Sequence, residues 1–104
     1  MNPHVRFDDE ADAEYRLAGR WYEARRERLG IEFLDAVDAT IDQIVAMPRA
    51  GSRIRSLPAD LTVRRRAVKR FPYHVVYLEL ETHMRILAIA HDRRKPGYWQ
   101  DRLK

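Results

Sequence analysis

At 104 residues, with 45% apolar and 35% charged side chains, the chain is sized for a single domain over residues 1–104. One modest core can bury roughly two-thirds of its unfolded surface. It has no cysteine, which excludes disulfides and thiolate metal sites and fits a reducing compartment. The net charge of +4 hides a dipole, because residues 1–48 balance to −5 and residues 49–104 to +9. A basic half of this kind attracts nucleic acid or an acidic protein segment. The first ten residues lack the apolar run of a signal peptide. No stretch approaches the ~20 apolar residues of a membrane span. The expectation is a cytoplasmic protein.

Val5-Arg6-Phe7 alternates and can form a short strand. Asp8 or Asp9 offers an N-cap, and Asp9, Glu10 and Asp12 favour the positive end of a helix starting there. Ala11, Tyr15, Ala18 and Tyr22 recur at helical spacing, with Leu17 and Trp21 beside them. The expected end of this helix is Leu29-Gly30, glycine taking the left-handed C-terminal position. A second helix carries Leu34, Val37, Ile41, Ile44 and Val45 on one face and stops at Met47-Pro48. So short a break implies an antiparallel helical hairpin.

Arg49 to Leu61 has no clear period and reads as a loop. Strands are expected near 62–68, 73–80 and 84–91, with turns at Phe71-Pro72 and Glu81-Thr82-His83, as an antiparallel meander. The second strand is apolar on both faces apart from His74 and Glu79, and the third apart from Arg85. Such strands need cover on both sides. The hairpin covers one face, while Pro96 to Leu103, one short helix at most, is scarcely enough for the other. Packing alone therefore points to a partner chain.

Most catalytic signatures are missing. There is no glycine-rich phosphate loop or nucleophile elbow, and the only serines, Ser52 and Ser56, lie in the loop. His4, His74, His83 and His91 do not fall at metal-ligand spacing, so no metal and no cofactor is expected. Glu23 and Glu27, facing Arg28 and its neighbours, read as surface ion pairs. The basic segments remain. Alternation separates Arg65 from Arg64 and Arg66, a pattern equally suited to a solvated edge strand. The functional alternative sets Arg65, Lys69 and Arg70 beside the loop of His91, Arg93, Arg94 and Lys95, where guanidinium forks match phosphate or carboxylate oxygens. Tyr98 and Trp99 offer stacking planes for a base or an anchor for a partner, or else pin the C-terminal helix to the sheet.

Taken together, Arg65, Phe71-Pro72-Tyr73, Tyr77, Ile86 to His91, Arg93, Pro96-Gly97-Tyr98-Trp99 and Arg102 resemble the toxins of the RelE/ParE superfamily of bacterial type II toxin–antitoxin systems. Ala11, Tyr15, Tyr22, Gly30, Phe33-Leu34, Val37, Ile44 and Pro48 agree, so the resemblance spans essentially the whole chain. It implies an α+β fold, with an N-terminal strand and antiparallel helical hairpin packed on a twisted antiparallel sheet. It also implies a cognate antitoxin, ParD- or RelB-like, whose C-terminal segment wraps the toxin.

The superfamily divides by target. RelE-like members cut ribosome-bound mRNA without metal, using arginine, lysine and a late tyrosine or histidine. Here that role would fall to Arg65, Arg93 and Tyr98. Cutting members carry an arginine directly after the tyrosine that opens the third strand and a basic residue soon after the fourth. This chain has His74 and Asp92 at those places. ParE-like members instead bind DNA gyrase, and the Phe-Pro-Tyr turn and Pro-Gly-Tyr-Trp ending are more similar to that branch. The resemblance thus favours a binding toxin over an endoribonuclease, with a non-toxic interaction module of the same fold as the further alternative. Arg65, Lys69, Arg70, His91, Arg93, Arg94, Tyr98 and Trp99 are the expected target- or partner-binding residues.

Overall fold

The computed structural model describes residues 3–55, 57 and 60–103. Strand β1 (Val5–Phe7) leads into helices α1 (Asp9–Arg25) and α2 (Leu29–Ala46). Strands β2 (Ser52–Arg53), β3 (Val63–Ala67), β4 (Tyr73–Glu79) and β5 (Met84–His91) follow, and a 3-10 turn (Gln100–Leu103) closes the chain. The sheet order is β1-β5-β4-β3-β2. All pairings are antiparallel except β1 on β5, so the expected antiparallel sheet is mixed at one edge. The three expected strands are present, within a residue at each end. The last of them, β5, has the expected bounds. Strand β2 lies in the stretch expected to be a loop. It pairs Ser52 with Arg65 and Arg53 with Arg64.

The helical hairpin forms where expected, but its break is different. Helix α1 stops at Arg25, and the left-handed residue is Arg28, not Gly30. Glu23 explains the turn, because its carboxylate accepts the Arg28 N–H at 2.8 Å and the Gly30 N–H at 3.0 Å. It satisfies donors that the start of α2 leaves open, so it is a cap rather than the expected surface ion pair. Gly30 sits in the first turn of α2 for another reason. A Cβ there would overlap the Gly19 carbonyl oxygen, so the two helices meet backbone to backbone. Asp8 holds the N-cap position of α1 in extended geometry, but its carboxylate turns to Arg85 instead of the helix, at 2.8 and 2.9 Å.

Two apolar layers sandwich the sheet. On the helix side Phe33, Val37, Ile41 and Ile44 meet Val75, Tyr77, Ile86 and Ile89. Tyr22, Phe33, Phe71 and Tyr73 interlock there with ring centroids 4.9–6.2 Å apart, Tyr22 stacked on Phe33 and the other pairs edge-on, contacts worth about 1 kcal/mol each beyond area burial. On the far side Val63, Val76, Leu78, Leu87, Ala88 and Ala90 pack under Trp99, with Ile54, Leu57, Tyr98 and Leu103 around them. The chain therefore covers its own second face, so the packing argument for a partner there does not hold, whatever partner the chain has elsewhere. Trp99, only 3% exposed, forms this cover together with Ile54 and Leu57, which follow β2, and Leu103.

Candidate binding surfaces

Glu14 organises the site. Strand β1 stops pairing at Phe7 with Ile86. Leu87 then forms a bulge, since Val76 faces Ala88 while Tyr77 faces Ile86. Beyond it the outer edge of β5 has lost its neighbouring strand, and two side chains replace it. Glu14 Oε1 accepts the Ile89 N–H at 3.1 Å, and Arg102 donates to the Leu87 carbonyl at 2.8 Å. The two are joined to each other by Arg102 Nη1 to Oε1 and Nη2 to Oε2, both 3.0 Å. This ion pair stands where a peptide group of the next strand would.

The same carboxylate holds the C-terminal segment. Tyr98 donates its hydroxyl to Glu14 Oε2 at 2.6 Å, and the Arg94 guanidinium lies 3.8 Å from both that oxygen and the Tyr98 ring centre. Burial, then the bond to Glu14 and its charge, push the Tyr98 phenol well above its ordinary range. Hydrogen bonding to Glu14 likewise raises Arg102, and bonding to Asp8 raises Arg85, so both remain cations. Arg85 also donates to the Arg102 carbonyl, tying β5 to the last turn.

Against this hub lies an open groove of about 590 Å³, lined by Leu17, Ala18, Trp21 and Tyr22 of α1 and by Pro72, Tyr73 and Ile89 of the sheet. Glu14, His91 and Arg94 give it its polar lining. Leu17 and Trp21 are 60% and 53% exposed, and Arg25 stacks over the Trp21 ring at 4.0 Å. Here an apolar surface is left uncovered, on the helix side rather than on the far side of the sheet.

A second, smaller cleft opens on the far face. Arg65 lines it with His74, His91, Asp92, Arg94, Lys95, Tyr98 and Trp99. Residues paired across strands share a face, so Arg65 opposite Val76 and Ala67 opposite His74 belong to this side, and Arg64 and Arg66 to the other. His74 Nδ1 donates to Asp92 at 2.9 Å. His91 accepts the Arg93 N–H at Nδ1, 3.1 Å away.

Of the residues expected from the sequence, Arg65, His91, Arg94, Tyr98 and Trp99 converge on this cleft. Lys69, Arg70 and Arg93 do not line it. Arg70 is left-handed and turns to Glu32 of α2 at 2.9 Å, on the helix side. Neither expected stacking plane is open, because Arg94 covers the Tyr98 ring and Trp99 is buried. Glu14, Leu17 and Trp21 were missed as site residues. Leu17 and Trp21 had helical spacing as a signal, whereas nothing local marks Glu14, whose partners lie 75–88 residues away. Among the described residues no set of His, Cys, Asp or Glu side chains could hold a metal ion. No helix is long and apolar enough to cross a membrane among those residues.

The profile of the family described as "ParE toxin of type II toxin-antitoxin system, parDE" matches residues 5–96. The chain belongs to that family. A solved chain described as "Chromosomal ParDE TA system from P. aeruginosa" shares the fold of this ParE-family chain with a TM-score of 0.70. At 15% identity the likeness covers 84% of this chain and 92% of that one. No curated protein matches the sequence. The family match ends at Pro96, so the parts assigned to Tyr98, Trp99 and Arg102 rest on the geometry of this ParE-family chain alone.

Proposed function

We propose that the chain arrests growth by binding DNA gyrase in the cytoplasm, and that a cognate ParD-like antitoxin neutralises it. Membership of the ParE family supports the toxin role. One observation carries the choice of target: of Arg65, Arg93 and Tyr98, the group that would move the proton is engaged elsewhere. A proton-transfer residue must reach the proton it moves, yet the Tyr98 hydroxyl is bound to Glu14, and burial with that carboxylate opposes its ionisation. Cations must stand where phosphate charge develops, yet the two places where cutting relatives carry them hold the His74–Asp92 pair. A binding toxin needs neither.

The groove along α1 suits the antitoxin. Protein interfaces centre on apolar and aromatic anchors, which Leu17, Trp21, Tyr22 and Tyr73 provide. Arg25, stacked on Trp21, and Arg94 in the lining favour an acidic amphipathic segment. The deciding experiment adds purified toxin to gyrase and relaxed plasmid. Loss of supercoiling with accumulation of cleaved DNA, both reversed by antitoxin, is the expected result. Undiminished supercoiling, with mRNA cut inside codons on translating ribosomes, would replace this proposal with the endonuclease.

A further inference from the structure

We infer that the far-face cleft is a phosphodiester-binding site, which grips the backbone of duplex DNA independently of sequence. It lies across the sheet from the hairpin, while the apolar groove lies on the helix side. None of the exposed large apolar side chains, Leu17, Trp21, Ile31, Met47 and Leu80, lines it. What it adds to a partly apolar lining is charge. The side chains of Arg65 and Lys95 make no ion pair or hydrogen bond to another described residue, and the same holds for Lys69 and Arg93. In the meander, the end of β3, the start of β4 and the end of β5 lie together, so Lys69 and Arg93 extend the charge beyond the cleft. The acid lining it, Asp92, is already bonded to His74.

A protein partner would call for large exposed apolar anchors, and the apolar lining here comes from Ile54, Ala90, Pro96 and the buried Trp99, none of them such an anchor. Single-stranded nucleic acid would call for open aromatic planes, and both are taken, Tyr98 by Arg94 and Trp99 by the core. A volume of about 100 Å³ leaves room for a phosphate but none for a splayed base. Unpaired guanidinium and ammonium groups without stacking planes fit a double helix held by its phosphates. This rests on the gyrase proposal only for the source of the DNA.

The test is fluorescence anisotropy of purified toxin with a labelled short duplex over a range of salt, with no gyrase present. Each phosphate neutralised contributes about −0.9 to the slope of log K against log salt. The double variant Arg65→Gln/Lys95→Gln should therefore flatten the slope by about 2. Neither side chain has a partner to lose, so its melting temperature should be unchanged. Arg6→Gln/Arg20→Gln, with equal charge change away from the cleft, should leave the slope as it was. Equal flattening by both pairs would show diffuse attraction by net charge and overturn the site. Tighter binding of single-stranded RNA than of the duplex would overturn the assignment to DNA. Gyrase inhibition by a toxin without measurable DNA affinity would sink this inference and leave the target intact.

Discussion

Replacing Glu14 with glutamine should destabilise the fold far more than a surface charge change does. Glu14 and Arg102 have side chains only 16% and 13% exposed, so neither is well served by water. Glutamine keeps one carbonyl oxygen, enough for the Ile89 N–H. It also turns an NH2 toward Tyr98 and Arg102, which are donors themselves. Two charge-assisted bonds are lost and a mostly buried guanidinium keeps only its bonds to carbonyl oxygens. Each charged hydrogen bond is worth about 1.5–3 kcal/mol and an orphaned buried charge about 3–5. Allowing for partial exposure, the loss should be about 2–4 kcal/mol, against a whole stability of about 5–15 kcal/mol. Thermal unfolding followed by circular dichroism should show a fall of about 10–20 °C. In a cycle with Arg102→Met the two changes should couple by about 1–3 kcal/mol. A fall below about 3 °C, or strictly additive single changes, would mean the pair is solvated in solution and would refute the role given to it.

Gly30→Ala should cost about 2 kcal/mol or more, because the Gly19 carbonyl cannot rotate away from the new methyl. Chemical denaturation would read this as a lowered midpoint. Trp21→Ala should leave the melting temperature nearly unchanged but weaken antitoxin binding at least tenfold, about 1.4 kcal/mol or more. Calorimetric titration would detect it, and unaltered affinity would remove the groove from the interface. Glu32 accepts hydrogen bonds from Arg70 and Arg26, which hold its pKa below the ordinary carboxylate range. A depressed acid stabilises the fold above its unfolded pKa, and this is lost as pH falls through the folded value. Glu32→Gln should therefore melt lower than the parent at neutral pH, with the difference closing in acid.

What the sequence revealed followed from local chemistry. Apolar spacing set both helices, and the β-branched runs set β4 and β5. Gly30 misled because glycine serves two purposes: a left-handed C-terminus and close approach of backbones give the same letter. Strand β2 was illegible because two residues carry no period, and only Arg64 and Arg65 opposite give them a partner. The parallel pairing of β1 depends on where the chain returns after nearly eighty residues. The cleft was half visible. Consecutive arginines announced Arg65, and the post-strand cluster announced His91 and Arg94. Glu14 stayed hidden, since one acid in an acidic helix looks like solvated charge until β5 and the C-terminus arrive. Arg70 looked like its neighbours because its turn toward Glu32 is a tertiary event.

Replacing a missing strand with a carboxylate and a guanidinium has a consequence for how the chain meets copies of itself. An open sheet edge invites other chains to add strands, and long flat edges lead to aggregation. Here the outer strands are only three and two residues long, and the unpaired stretch of β5 already has its N–H and carbonyl bonded. The chain by itself presents an open apolar groove but offers no template at that stretch to its own kind. The lock that fixes its C-terminus thereby also closes a place where another chain could add a strand.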